Sequence, residues 1–193
     1  MANSSFKALY ERYRQNNSNG KRPFVLTRSF YTGTHIFTAH WNGDMISEFN
    51  SIKLSNQMMA QLSLSGYSFV GTDIGGFANN IDPSYFMFWY QTNIFNPFLR
   101  SHSHNETFRR EFWLYDEDIK FSIIESLKLR QKLKLFIYTS FFKHSKKGYP
   151  LIETLWNFLN DFELEKKFGN YFVYYKTFLI RTFENRYEQE NEK

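Results

Sequence analysis

The chain has 193 residues, enough for one domain with a real core but short of the roughly 250 of a complete (β/α)8 barrel. Hydrophobic residues at 42% exclude a wholly disordered chain, and the absence of cysteine excludes disulfides, thiolate nucleophiles and Cys-ligated zinc. The net charge of +5 comes from 24 basic and 19 acidic residues scattered along the chain, so no nucleic-acid partner is expected despite 21% aromatic residues.

In chain order, Phe6, Leu9, Tyr10 and Tyr13 recur at helical spacing and predict a helix over 4–15, stopped by the polar run Asn16 to Gly20. The start, Met1 to Phe6, has no basic n-region or apolar h-region, so no signal peptide is expected. Pro23 to Thr27 is a short apolar run of the kind found in buried parallel strands, and Phe37 to Trp41 predicts a second strand ending at Asn42-Gly43-Asp44. Residues 46–65 predict a helix stopped by Gly66, and Tyr67 to Thr72 a third strand running into Asp73-Ile74-Gly75-Gly76.

Pro83 opens a further helix reaching about Asn96. A long helix follows, with acid at its start (Asp116, Glu117, Asp118) and base at its end (Lys143, His144, Lys146, Lys147), as the helix dipole favours. Gly148 and Pro150 end it, and Leu151 to Trp156 is the fourth strand expected in the βα rhythm. Near residue 160 that rhythm gives way to strand-like sequence over Phe168 to Phe183 and a polar tail. Strands alternating with helices predict an α/β fold with a parallel sheet. No apolar run reaches the ~20 residues that a membrane span requires, and none is expected.

Polar residues gather just after the strands: Arg28-Ser29, Trp41 to Asp44, and Asp73 to Gly76. In α/β folds the loops at the carboxyl ends of the strands converge on one face, where ligands bind. Each cluster alone also reads as a turn or a helix cap, but three in phase argue for a polar ligand with Trp41 as a stacking wall. His102 and His104 would share a side of an extended chain, yet no third ligand is apparent and no metal is expected. A Walker loop, a G-x-G-x-x-G run and a G-x-S-x-G elbow are all absent.

Five segments in order then resemble the catalytic domain of glycoside hydrolase family 31. They are Arg22 to Ser29, Trp41 to Asp44, Gly71 to Phe77, Asn96 to His104, and Arg109 to Trp113. The likeness covers about residues 5–160. It implies the C-terminal half, strands five to eight, of a (β/α)8 TIM barrel that enters a following β-sandwich domain: residues 1–160 a partial catalytic barrel, 161–193 the start of the C-terminal β-domain. It implies a retaining α-glucosidase acting on terminal α-linked glucose, with Asp44 as general acid/base and Arg28, Trp41, Asp73, Phe77 and His102 lining the sugar subsite.

No cofactor and no metal are implied. An α-glucoside or N-glycan is the implied carbohydrate substrate, a regulatory β subunit the implied partner, and the endoplasmic reticulum the implied location. The family's nucleophile lies in a W-x-D-x-N-E type motif that these 193 residues lack, so the chain is expected to be an inactive fragment by itself. Other departures are Met45 where the family usually has Asn, Thr34-His35-Ile36 for an S-Q-R or T-Q-R triplet, Glu111-Phe112-Trp113 for E-P-W, and Glu153 to Trp156 for R-P-L-W. These departures support an alternative, a non-catalytic carbohydrate-binding or interaction remnant of the same family.

Overall fold

The computed structural model describes residues 1–16, 21–155, 171–175 and 178–181. Helix α1 (Ala2–Gln15) comes first, with Phe6 packed on Phe37 at 5.6 Å between ring centroids. Its expected periodicity is present, but none of its residues is fully buried. Most of the expected stop at Asn16 to Gly20 lies outside the described residues.

Four parallel strands follow: β1 (Leu26–Thr27), β2 (Ala39–Trp41), β3 (Val70–Ile74) and β4 (Phe98–Ser101), in the order β1-β2-β3-β4. Helix α2 (Asn50–Leu64) links β2 to β3, and α3 (Pro83–Asn93) links β3 to β4. This is the α/β arrangement that the alternating pattern predicts. Helix α2 starts later than expected because Ile46 and Ser47 are engaged elsewhere: Ile46 bridges Ala78 in parallel, and Ser47 N–H donates to Ala78 O at 2.8 Å. Strand β3 also starts later, because the Tyr67 N–H closes the end of α2 on Leu62 O at 2.8 Å.

Strand β4 has no counterpart among the strands expected from the sequence. Only Phe98 and Leu99 in it are apolar, and the polar Arg100 and Ser101 break the strand pattern. Its register is tight, because a Cβ at Gly71 would stand 2.1 Å from Phe98 O, so only glycine fits there.

Helix α4 (Glu117–Lys147) spans 31 residues with acid in its first turn and base in its last. It ends at Gly148, whose φ of 70° suits glycine and whose N–H donates to His144 O at 2.7 Å. The segment expected as a fourth βα strand corrects that reading. Strand β5 (Ile152–Thr154) joins a separate antiparallel sheet with β6 (Tyr171–Tyr174) and β7 (Phe178–Arg181), in the order β5-β6-β7. Its approach is fixed by Leu151 and Ile152 N–H groups donating to Ser63 Oγ and by Tyr175 N–H donating to Leu151 O. Nothing local to residues 151–156 distinguishes this from a parallel strand, since the partner lies about twenty residues downstream. Strand-like sequence over Phe168 to Phe183 does form β6 and β7, while Trp156 and the polar tail lie outside the described residues.

Two apolar clusters support this frame. One gathers Met59, Val70, Ile137, Ile152 and Tyr174 between α2, α4 and the second sheet. The other packs Ile74, Phe86, Trp89 and Ile123 beneath β3 and α3.

Candidate active site

Side chains alternate along each strand, and the register decides which of them meet. Trp41 stands opposite Gly71, and Asp73, two residues further on, stands opposite Arg100. Arg28, the residue after β1, follows the same alternation, so Arg28, Trp41, Asp73 and Arg100 line one face of the sheet at its carboxyl end. Gly71 contributes no side chain, which leaves room for the large groups on either side.

Asp73 is 0% exposed, and its Oδ1 accepts from Arg100 Nε at 2.8 Å and from Arg100 Nη2. Burial pushes the Asp73 carboxyl above its ordinary value; the Arg100 and His102 charges oppose that push, and Asp44 adds to it. The Arg100 guanidinium also lies 5.0 Å above the Trp41 ring, so Asp73 holds the cation on the indole face. Trp41 Nε1 and Asp73 Oδ2 are buried with no hydrogen-bond partner among the described residues.

Asp44 follows β2 on the Asn42-Gly43-Asp44 turn, where Gly43 takes a φ of 84° that favours glycine. Arg28 Nη1 donates to Asp44 Oδ2 at 3.1 Å; the two side chains are 61% and 41% exposed, so this pair faces solvent. An open cavity of about 670 Å3 borders Arg28, Trp41, Asp44 and Met45 and continues past Phe30 and Met58. Phe77, on the loop after β3, has His102 at 5.4 Å and His104 at 5.6 Å between ring centroids. The two histidines thus do share a side, but what they share is an aromatic ring.

The structure therefore gathers the expected residues into three contacts: Arg28 with Asp44, Trp41 with Asp73 through Arg100, and Phe77 with His102. Two participants lay outside the sequence-derived site. Arg100 was detectable as the polar residue two before His102, at the end of an apolar pair. Arg110, which holds the Phe77 loop from beneath, carries no sequence signal that separates it from the adjacent Arg109.

The chain is similar to known proteins over most of its length. A model of the glycosyl hydrolases family 31 TIM-barrel domain matches residues 1–140. Neutral alpha-glucosidase AB of Mus musculus is 41% identical over 136 residues, 70% of this chain and 14% of that protein. The glucosidase II alpha subunit in its Glc1Man2-bound form superposes with a TM-score of 0.85 at 33% identity, covering 96% of this chain and 20% of that one. The catalytic subunit in the ER glucosidase II heterodimeric complex, solved with the binding domain of its regulatory subunit, gives a TM-score of 0.79 at 34% identity over 86% of this chain and 18% of that one. The chain spans about a seventh of the length of the curated relatives it matches.

Proposed function

The chain belongs to glycosyl hydrolase family 31, and on that premise we propose that it is part of a retaining α-glucosidase acting on terminal α-linked glucose, with N-glycans as the substrate class. The observation that carries the reading is the convergence at the sheet's carboxyl end, where the solvent-facing Arg28–Asp44 pair adjoins the Trp41–Arg100–Asp73 stack. A sugar has polar edges and apolar faces, and this surface offers carboxylate, guanidinium and indole together.

Asp44 is assigned as the general acid/base, with Arg28 orienting its carboxyl. In the first step of a retaining reaction it gives a proton to the leaving glycosidic oxygen while a carboxylate attacks the anomeric carbon. In the second it takes a proton from the water that releases the glycosyl group. Trp41 and Phe77 supply the aromatic wall, with His102 against Phe77 donating to a hydroxyl. Asp73 supports the subsite through Arg100, because its own carboxyl is sealed from solvent.

The same burial makes Asp73 unsuited to act as nucleophile. That role requires a second carboxyl roughly 5–5.5 Å from the acid/base. The family's W-x-D-x-N-E motif, absent from these residues, would supply it.

On this reading β1 to β4 are strands five to eight of the barrel, and the antiparallel β5-β6-β7 sheet is the start of the following β-sandwich domain. Residues 1–160 are the proposed partial barrel and 161–193 the start of the second domain; the pairing of β5 with β6 supports a boundary nearer the α4–β5 junction. A location in the endoplasmic reticulum and a regulatory β subunit as partner follow the similarity to the heterodimer's catalytic subunit.

The test measures hydrolysis of an aryl α-glucoside, first by the purified chain and then by the chain joined to an upstream segment carrying the nucleophile motif. No turnover is expected from the chain alone. Turnover is expected from the joined protein, falling by more than 100-fold in Asp44→Asn. A folded joined protein that binds glucose without turnover would instead support the non-catalytic remnant.

A further inference from the structure

The loop after β3 has an unusual backbone. Gly75, Gly76 and Asn79 adopt φ values of 91°, 73° and 69°, all in the left-handed region. The turn aims three carbonyls at one buried side chain. Arg110 Nη1 donates to Gly75 O at 3.0 Å and Gly76 O at 2.8 Å, and Nη2 donates to Asn79 O at 2.9 Å.

Arg110 is 7% exposed and has no carboxylate within ion-pairing distance among the described residues, whereas its neighbour Arg109 pairs with Glu111 in solvent. Burial pushes the Arg110 guanidinium below its ordinary value, and Tyr115 and Asp73 oppose that push. A buried guanidinium balanced by carbonyl dipoles is costly unless its geometry is nearly complete, and here the planar fork meets acceptors on two sides.

The far side of the loop touches the segment that follows the candidate acid/base. Phe77 and Ala78 N–H groups both donate to Met45 O, at 2.7 and 3.0 Å, and Met45 directly follows Asp44. Ser47 N–H returns a bond to Ala78 O, and a Cβ at Gly76 would come within 2.8 Å of Ile46 O. The two loops are therefore zipped together, and Arg110 closes the zip from below.

We propose that Arg110 is a positioning residue that sets the Phe77 wall and, through the Met45 carbonyl, the Asp44 carboxyl. The roles of Phe77 and Asp44 rest on the function proposed above; the coupling itself does not, and it is measurable without sugar. Lysine keeps the charge but gathers its donors on one nitrogen and cannot reproduce the planar fork, so Arg110→Lys separates charge from geometry.

The experiment compares amide exchange and NMR shifts in the full chain and in Arg110→Lys, Arg110→Gln and Arg109→Gln. Both Arg110 variants are expected to exchange the Phe77 and Ala78 amides about tenfold faster, the equivalent of one lost net hydrogen bond. The ring-current shift of His102 against Phe77 should move in the same two variants. Amides of the α4 core at Ile123 and Ile137 should keep their protection, and Arg109→Gln should match the wild type throughout.

Wild-type exchange and shifts in Arg110→Lys would overturn the proposal in favour of charge alone. Wild-type exchange in Arg110→Gln would show that the loop holds itself. Uniform loss of protection across the chain, or failure of both Arg110 variants to fold, would assign Arg110 to general stability and also overturn it. If Asp44→Asn left hydrolysis by the joined protein unchanged while these shifts appeared, the coupling would stand and the acid/base assignment would fall.

Discussion

The central tension at the scale of single residues is a carboxyl with no solvent. Burial holds Asp73 above its ordinary value, and the Arg100 pair offsets much of that penalty. Removing Arg100 leaves a buried charge uncompensated, which we expect to cost about 3 kcal/mol at neutral pH; the figure sits at the low end for such pairs because Arg100 is partly exposed. An acid with a raised folded value loses stability as pH rises through that value, and without Arg100 the value rises further. The deficit of Arg100→Ala should therefore be full at neutral pH and shrink in acid, where Asp73 is protonated in both proteins. Urea unfolding at the two pH values checks this, and a gap that stays constant would contradict it. The Arg28, Trp41 and Asp44 cluster was legible in the sequence because each residue sits at a strand end. The dependence of Asp73 on Arg100 was not, because it crosses from β3 to β4.

Among elements, helices were the most legible, since their signals are local. Helix α3 illustrates this: Asp82 caps it by accepting from Ser84 N–H at 2.8 Å, and Pro83 opens it. The Ser84 hydroxyl and backbone N–H groups hold the Asp82 carboxyl below its ordinary value. Its contribution is thus present at neutral pH and is lost as pH falls through that lowered value. Asp82→Ala should destabilise the chain by about 1 kcal/mol at neutral pH and by less in acid, as read from denaturant midpoints. Strands were less legible. β4 is half polar, and β5 has the same local character whether its neighbour runs parallel or antiparallel. Element boundaries also moved wherever a loop captured backbone groups, as at Ile46 and Tyr67.

At the scale of the whole molecule, two sheets meet across α2 and α4. Tyr174, fully buried, places its hydroxyl 2.9 Å from Asn56 Oδ1 and 3.3 Å from Asn96 Oδ1, tying β6 to α2 and to the segment before β4. Tyr174→Phe leaves buried amide oxygens without that donor and should cost about 1–2 kcal/mol, with the midpoint of unfolding shifted and its slope unchanged. A changed slope would show that the second sheet had come away as a separate unit. The sequence by itself determined the helices, the parallel βα pattern and the polar and aromatic residue types at the strand ends, because periodicity, caps and strand-end polarity are encoded within a few residues. Only the tertiary structure decided that β5 leaves the parallel sheet, that Asp73 is sealed against Arg100, and that Arg110 underpins the Asp44 and Phe77 loops. Each of those depends on groups 18 or more residues apart in the chain meeting at hydrogen-bond distance, and no local pattern records such a meeting.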